Sequence, residues 1–490
     1  MTEAIALPIT ILILIGIVTF TFFKSTDDLV VYALAATVSL VGIHIHFGVS
    51  FYLSRIIVIA FLFTIFIKYL RDCKFDYPTL FLSKFFAIFV LTILFQIIST
   101  LMSPRIPEGL RQIAIHVALM TIFMIIVATS KNIATITNAI KIYLGVGFLQ
   151  SLYGIYQVWG GSFNWITYQK ILAYLKIPTA NDHTYNGFLY SGLYKTFRAI
   201  GFYPADVSHY AGYLVGVLIL TASFLIYNRR LVWPKIIFAL GFCAIILSFS
   251  RSGMITLLFI GIPTLLYLLT RIKPGALFEF SKLLLIPMVA GSFLAYIVFD
   301  GKSIFSISTQ ETQFTKMLSD RYGDLTLNSL TNKNKFESLN EHIETRIAGL
   351  KAFSTSPFFG VGLGVNASPW KSNDYPRGWG GSHSHHLDML GQTGLIGAIL
   401  QTWFMVLVGK YMWKAFNIGS KNDSSRYLLA GLLASYVAII IGNFLYHYFN
   451  LDIVWFLIGS GIALSRLRIL RESGPIEVKS FNGIIQKGLR

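Results

Sequence analysis

Four short motifs in the chain combine arginine, histidine, serine and glycine at spacings that suit group-transfer chemistry. They are Phe197–Pro204 (FRAIGFYP), Ser248–Gly253 (SFSRSG), Glu344–Lys351 (ETRIAGLK) and Gly381–Gly394 (GSHSHHLDMLGQTG). The first three contribute Arg198, Arg251 and Arg346. Arginine carries a permanent charge and a planar fork of donors that matches phosphate oxygens in pairs. Three arginines that converge would therefore suit a diphosphate.

The fourth motif supplies a candidate base. His383 has the side chain whose ordinary pKa lies nearest neutrality, so it can take a proton from a hydroxyl. Further candidates for substrate contacts are Lys195, Tyr203, His385 and His386. Together these residues suggest that a hydroxyl nucleophile displaces a lipid diphosphate.

Each residue also has a purely structural interpretation, and the sequence leaves both open. Arg251 can extend from a helix end to the membrane interface, Arg346 can lie on the solvated side of a helix, and Arg198 can neutralise lipid headgroups. His383 and its neighbours can cap a helix or face solvent. Adjacent histidines cannot all face one ion and no cysteine cluster lies nearby, so we predict neither a metal site nor a cofactor.

The composition decides where these motifs must lie. Of 490 residues, 55% are hydrophobic and only 13% are charged. Soluble domains have about 45–50% apolar and about 25% charged residues. With only two cysteines, the chain is not a disulfide scaffold. It is predicted to be a polytopic membrane protein, and its net charge of +18 is attributed to cytoplasmic loops rather than to nucleic-acid binding.

Apolar stretches of roughly 20 residues, the length that crosses a bilayer, recur along the chain. The predicted spans are Ile5–Phe23, Leu29–Phe47, Tyr52–Leu70, Leu80–Leu101, Leu110–Thr129, Ile136–Val158, Tyr210–Tyr227, Val232–Ser248, Met254–Leu269, Leu283–Phe299, Leu390–Val408, Leu428–Leu445 and Ile453–Leu464. We therefore predict an all-α protein with about 12–13 transmembrane helices, because the bilayer core offers no water to satisfy other backbone conformations.

Short basic loops set the predicted orientation. They are Lys68–Lys74, Asn228–Lys235, Arg271–Lys273, Lys410–Lys414 and Arg466–Arg471, and all fall on one side, which is predicted to be cytoplasmic. The opposite side then receives two long polar insertions, about Trp159–His209 and about Asp300–Leu387. The four motifs lie on that external side.

The predicted organisation follows from these spans. It comprises N-terminal transmembrane helices (1–158), a first external loop (159–209), transmembrane helices with the SRSG hairpin (210–299), a large external helical loop (300–387), C-terminal transmembrane helices (388–466) and a cytoplasmic tail (467–490). In the large loop, Ile343, Ile347, Leu350 and Phe353 recur on one face of a helix. The glycine run Gly360–Gly364 predicts a tight turn back toward the membrane.

Taken in order, the motifs resemble those of the O-antigen ligase and polymerase superfamily. That superfamily comprises integral membrane glycosyltransferases that act on undecaprenyl-diphosphate-linked glycans. The resemblance is carried by Arg198–Pro204, Ser250–Ser252, Arg346–Phe353, Pro357–Gly362 and the series His383, Ser384, Leu387, Leu390, Gly394 and Gly397. The last series is the most specific, and its spacing to Gly394 selects His383 over His385. The family more often has asparagine where this chain has Ser384.

The resemblance implies a GT-C-like fold and a metal-independent, inverting transfer at the external or periplasmic face of a bacterial inner (plasma) membrane. On this mechanism His383 is the general base for the acceptor hydroxyl. Arg251 and Arg346 hold and neutralise the departing diphosphate, a form of preorganised charge that often dominates catalysis.

The implied partners are an undecaprenyl-diphosphate-linked oligosaccharide, a glycan or lipid A-core acceptor and membrane lipids, with a chain-length regulator as a candidate. We predict a polymerase that joins one lipid-linked glycan to another, and a ligase that transfers the glycan to lipid A-core is the alternative. A flippase is a more distant alternative, because transporters place their ionisable residues at the bilayer midplane.

Overall fold

A computed structural model of the protein describes thirteen α-helices and two short hairpins. The described residues are 27–38, 40, 44–46, 50–72, 84–103, 105–161, 190–191, 196–201, 207–273, 275–300, 337–365, 381–419 and 423–473. The helices are α1 Asp27–Thr37, α2 Leu53–Asp72, α3 Lys84–Leu101, α4 Ile106–Thr129, α5 Ile133–Gly161, α6 Val207–Tyr227, α7 Trp233–Leu247, α8 Arg251–Ile272, α9 Ala276–Asp300, α10 Glu337–Thr355, α11 His385–Asn417, α12 Ser424–Gly442 and α13 Asp452–Ser473. Strand β1 (His44–His46) pairs with β2 (Ser50–Tyr52), and β3 (Tyr190–Ser191) pairs with β4 (Thr196–Phe197).

The helices confirm the prediction of an all-α, polytopic membrane protein. Within the described ranges, nine are long and apolar enough to cross a bilayer, and α7 is apolar but shorter. Most predicted spans coincide with a helix to within a few residues at each end. The first predicted span, Ile5–Phe23, lies outside the described residues.

The predicted span Leu29–Phe47 is wrong. Helix α1 ends at Thr37, and His44–His46 instead forms a β-strand whose Ile45 is paired with Phe51. The segment from Ile43 to Phe47 alternates apolar residues with histidines, which is the two-residue period of a strand rather than the period of a helix. A count of apolar residues alone does not detect this change of period.

Helix α6 lies at the centre of the bundle. It packs against α7 and α12, and side chains are buried all round it, including those of Tyr210 and Tyr213. At the periphery, α9 exposes large apolar side chains such as Ile286, which is 75% exposed. An exposed apolar surface of this kind is expected of a helix that faces lipid.

The two ends of the bundle differ in charge. At the end where α6 finishes, Arg229 and Lys273 both pair with Glu279, and the Lys273 Nζ lies 3.0 Å from the carboxylate. The predicted basic loops Asn228–Lys235 and Arg271–Lys273 lie here. The end where α6 begins carries instead the histidines described below.

A buried arginine ties α13 to the loop before α12. The Arg468 side chain is fully buried, donates to Asp423 at 2.7 Å and donates to the carbonyl of Ile418 at 2.6 Å. Burial alone would raise the pKa of Asp423, but hydrogen bonds from Ser425 and the charges of Arg468 and Arg471 leave it below its ordinary value. Asp423 is therefore ionised at neutral pH, and Arg468 compensates its charge.

We expect Arg468→Met to lower the free energy of unfolding by about 3–5 kcal/mol, because it leaves the Asp423 carboxylate and a backbone carbonyl without their buried donor. Unfolding in mixed detergent micelles measures this change. The matched control is Arg271→Met, because Arg271 is exposed and donates only to the hydroxyl of Tyr267. The control should change the free energy by less than about 0.5 kcal/mol. Equal effects of the two substitutions on the free energy of unfolding would contradict the prediction that the buried contacts of Arg468 stabilise the protein.

Helix α10 confirms the predicted amphipathic helix, and its apolar stripe faces away from the bundle. Ile343, Ile347 and Leu350 are exposed, whereas the small residues Ala348 and Ala352 are buried where α10 meets α11. Small residues let two helices approach closely, so they form the packed side. The large apolar side chains are left on the outer side.

Candidate functional site

The predicted glycine turn packs against a kink in α11. Gly394 has φ of +64°, so the helix is interrupted there. The carbonyls of Gly391 and Gln392 accept hydrogen bonds from the backbone N–H groups of Val361 and Gly362, each at 3.0 Å. Carbonyls close to the helix interruption are thus satisfied by the loop, as a membrane-embedded helix requires.

Glycine is needed on both sides of this contact. A Cβ at Gly360 would lie 2.3 Å from the backbone of Gln392, and a Cβ at Gly394 would lie 2.4 Å from the backbone of Phe358. Both residues also have positive φ. The two glycine motifs therefore join α10, the turn and the start of α11 into one unit.

His383 lies in the loop that enters α11. Ser384 caps the helix by accepting from the N–H of Leu387, and the N–H of Ser382 donates to Asp388 Oδ1 at 2.7 Å. His383 lies between these two anchors with φ of +53°, a left-handed conformation that side chains other than glycine seldom adopt. Strain of this kind concentrates at functional sites, where the surrounding structure enforces it.

Three aromatic rings surround His383. The centroid of the His383 ring lies 4.5 Å from that of His342 on α10, 6.0 Å from that of Tyr446 and 6.4 Å from that of His447. The last two residues belong to the segment between α12 and α13. Three separate parts of the chain thus meet at His383.

Asp388 and His447 form a close polar contact that the sequence analysis missed. The His447 Nδ1 lies 3.1 Å from Asp388 Oδ2, and the other carboxylate oxygen holds the loop through Ser382. Asp388 therefore orients an imidazole and also fixes the backbone next to His383. The sequence feature that could have identified this contact is the polarity of Asn443 and His447. They interrupt an otherwise apolar stretch near a predicted span, where polar residues tend to be functional.

Arg346 lies one turn after His342 on α10. It donates to the carbonyl of Phe444 at 3.4 Å, and its buried Nε has no hydrogen-bond partner among the described residues. Desolvation by burial lowers the pKa of Arg346 from its ordinary value. Helix α10 approaches the histidine loop closely, since a Cβ at Gly349 would lie 2.9 Å from that of Ser382. Arg346 is thus a half-buried guanidinium on the side of α10 that approaches the histidine loop.

Arg198 and Arg251 come together at the SRSG hairpin. The Arg198 Nε donates to the carbonyl of Ser248 at 3.4 Å, three residues before Arg251. Arg251 is the first residue of α8, and Ser250 caps that helix by accepting from the N–H of Gly253. Arg198 is therefore attached to the same short hairpin from which Arg251 begins a helix.

The start of α6 links this arginine pair to His383. Gly253 packs so closely on α6 that a Cβ there would lie 2.4 Å from that of Ala211. One half-turn earlier on α6, the ring of His209 lies 5.0 Å from that of Tyr446, which contacts His383. Arg198, Arg251, Arg346 and His383 all lie at the end of the bundle where α6 begins.

The remaining predicted contacts are less informative. Lys195 and Tyr203 lie outside the described residues. His385 is buried, stacks on Phe449 and bonds to Gln401. His386 contacts α12 through the carbonyl of Ile440 at 3.0 Å and the ring of Phe444. Their roles in substrate binding stay predictions.

Metal binding has no geometric support in the part of the chain that the structure describes. No group of three or more His, Cys, Asp or Glu side chains there is arranged to hold an ion. The histidines around His383 interact through ring contacts, and His447 pairs with a carboxylate. The metal-independent mechanism itself stays a prediction.

Comparison with known proteins adds one finding. A search of curated proteins gives no match. Residues 236–401, about a third of the chain, match the family model described as O-antigen ligase. The matched region contains Arg251, Arg346 and His383, while Arg198 precedes it. The resemblance to the O-antigen ligase and polymerase superfamily is thereby confirmed over this region, and it supports a glycosyltransferase-type membrane enzyme of O-antigen biosynthesis.

Proposed function

We propose that the protein transfers a glycan from an undecaprenyl-diphosphate-linked donor to a hydroxyl of a second lipid-linked glycan, as an O-antigen polymerase. The observation that carries this proposal is the pairing of a strained histidine with a half-buried arginine. The ring of His383 contacts that of His342, which lies one turn before Arg346 on α10, and the guanidinium of Arg346 is half buried. The family match supports glycan transfer as the chemistry.

The proposed reaction is a single inverting displacement. His383 accepts the proton of the acceptor hydroxyl as that oxygen forms a bond to the anomeric carbon of the donor sugar. The bond between the anomeric carbon and the diphosphate oxygen breaks, and the electron pair leaves with the diphosphate. Arg251 and Arg346, assisted by Arg198, neutralise the charge that develops on the leaving group. No proton has to be supplied to the diphosphate.

The site is proposed to face the exterior, which in a Gram-negative host is the periplasm. The pairs of Arg229 and Lys273 with Glu279 mark the end of the bundle opposite to His383. Short loops rich in lysine and arginine favour the cytoplasmic side, so we assign the end with Asn228–Lys235 to the cytoplasm and the histidine end to the exterior. The outward apolar stripe of α10 is suited to contact with membrane lipids, and it leaves Arg346 at headgroup level.

Transfer of the glycan to lipid A-core is the second candidate, because the matching family model is described as O-antigen ligase. Both reactions need the same donor site and differ only in the acceptor. Arginines and a histidine at the donor site do not separate them, so the acceptor has to be varied by experiment.

We expect the purified protein in a chelator-containing buffer to lengthen an undecaprenyl-diphosphate-linked oligosaccharide into chains of several repeat units. Gel separation of the released glycans measures the product. Parallel reactions that contain lipid A-core distinguish the two candidates, because a ligase labels lipid A-core without lengthening the lipid-linked chain. Formation of neither product would contradict the proposed function. A flippase would form neither the lengthened lipid-linked chain nor the labelled lipid A-core, so this result would also favour the flippase alternative.

A further inference from the structure

A polar cavity of about 250 Å³ adjoins His383, and the proposed displacement does not yet use it. It lies between the starts of α4, α6 and α11, the glycine turn and the segment between α12 and α13. Its polar lining includes Gln112, His209, Asp388, Gln392, His447 and Asn450. Its volume lies just below the range for small-molecule sites, about 300–1,000 Å³, so it suits a small group such as a single sugar ring.

The cavity opens next to the proposed base. Gly381, two residues before His383, forms part of its wall, and a Cβ there would lie 2.9 Å from the His447 Nε2. The same His447 lies 6.4 Å from His383 between ring centroids. A group held in the cavity is therefore separated from His383 by the width of one side chain, that of His447.

The lining chemistry favours an uncharged, hydroxyl-rich group. Two glutamine amides, an asparagine amide, imidazoles and one carboxylate offer both donors and acceptors, as sugar hydroxyls require. Neither lysine nor arginine occurs among the described lining residues, and Asp388 would repel a phosphate. Met389 and Leu363 contribute an apolar part of the lining, against which a sugar ring can pack.

The three arginines have contacts elsewhere than in the cavity. Arg346 reaches the carbonyl of Phe444 from α10, and Arg198 and Arg251 meet at the SRSG hairpin. None of the three lines the cavity. The cavity therefore lacks the arginine donors that a diphosphate requires.

We infer that this cavity is the acceptor subsite, in which an uncharged sugar residue of the acceptor glycan is held with its reacting hydroxyl toward His383. The inference rests on the proposed function, because it assigns the cavity to one of the two substrates of that reaction. Gln112, Gln392 and Asn450 hydrogen-bond the sugar ring, and the Asp388–His447 pair contacts hydroxyls at the opening.

The test uses two probes that separate the halves of the substrate. One is the lipid-free oligosaccharide repeat unit released from the surface glycan of the host cell, and the other is undecaprenyl diphosphate without sugar. The binding of each probe is measured with the full-length protein in lipid nanodiscs. Saturation-transfer NMR measures the oligosaccharide, and native mass spectrometry measures the lipid.

Gln112→Met and Gln392→Met keep the side-chain length and remove the amide. Each should weaken oligosaccharide binding by about tenfold, since each removes hydrogen bonds to an uncharged ligand. Both should leave undecaprenyl diphosphate binding unchanged, which also verifies that the variants are folded. Thr121→Val is the matched control on α4, because Thr121 lies outside the cavity and bonds only to the carbonyl of Val117. Arg251→Gln should give the reverse pattern.

Unchanged oligosaccharide binding in both glutamine variants would overturn the acceptor subsite. So would a loss of undecaprenyl diphosphate binding in either variant, because the cavity would then belong to the donor. A wild-type protein that binds no oligosaccharide would also overturn it. A wild-type protein that shows the expected binding pattern but transfers no glycan would instead refute the proposed function and leave the saccharide site standing.

Discussion

The His383→Asn variant should lose glycan transfer by about 10²–10⁴-fold, the usual contribution of a general base. Asparagine tolerates the left-handed backbone that His383 adopts, with φ of +53°, better than most residues do. It also retains a polar side chain of similar reach, but it cannot take a proton. The initial rate of chain lengthening on a lipid-linked oligosaccharide, measured with the purified protein, reports the loss.

Two further substitutions separate the base from the backbone. His383→Gly satisfies the positive φ with no side chain, and His383→Ala adds strain at that backbone position. If His383 is the base, all three variants are inactive, although only the alanine variant is destabilised in thermal unfolding. If His383 merely shapes the loop, the glycine and asparagine variants stay active and only alanine fails. Near-normal activity of His383→Asn would therefore remove the base assignment.

The membrane spans could be predicted because their physical basis is local. A helix in lipid satisfies its own backbone groups, so length and apolar content identify it without knowledge of its neighbours. The same criterion failed at Leu29–Phe47, where alternation of Ile45 with His44 and His46 produced a strand. Hydropathy averaged over a window cannot register a two-residue period.

The glycine pattern was recognised from the sequence, but its cause was not. Gly360 and Gly394 lie far apart in the chain and are required because one backbone presses on the other. A single sequence shows that each glycine is present. Only the packed structure shows that their missing side chains make room for each other.

Asp388 and His447 illustrate what the sequence could not supply. Each alone is an ordinary polar residue near a helix end, and 58 intervening positions give no sign that their side chains lie 3.1 Å apart. Arg198, Arg251, Arg346 and His383 were found because short motifs surround them. The acceptor cavity has no motif, since it is assembled from single residues on five segments.

The second large effect is expected from Arg346→Lys, which should lower kcat for glycan transfer by about 10²–10³-fold. Arg346 donates to the carbonyl of Phe444 through Nη2 at 3.4 Å. A guanidinium can hold this carbonyl and two diphosphate oxygens at once, whereas an ammonium is a compact point charge. Because charge on the diphosphate grows as the glycosidic bond breaks, kcat should fall more than the KM for the lipid-linked donor rises.

Lys351→Met is the control on the same helix. Lys351 is exposed and one turn or more away from Arg346, so Lys351→Met removes a whole charge from α10, a larger change in charge than Arg346→Lys makes. It should keep at least about half of the wild-type rate, since surface charges away from a site contribute little. A rise in donor KM with unchanged kcat in Arg346→Lys would mean that the arginine binds the ground state only. Wild-type kinetics would mean that Arg346 serves packing against Phe444, and the leaving-group role would then pass to the pair at the SRSG hairpin.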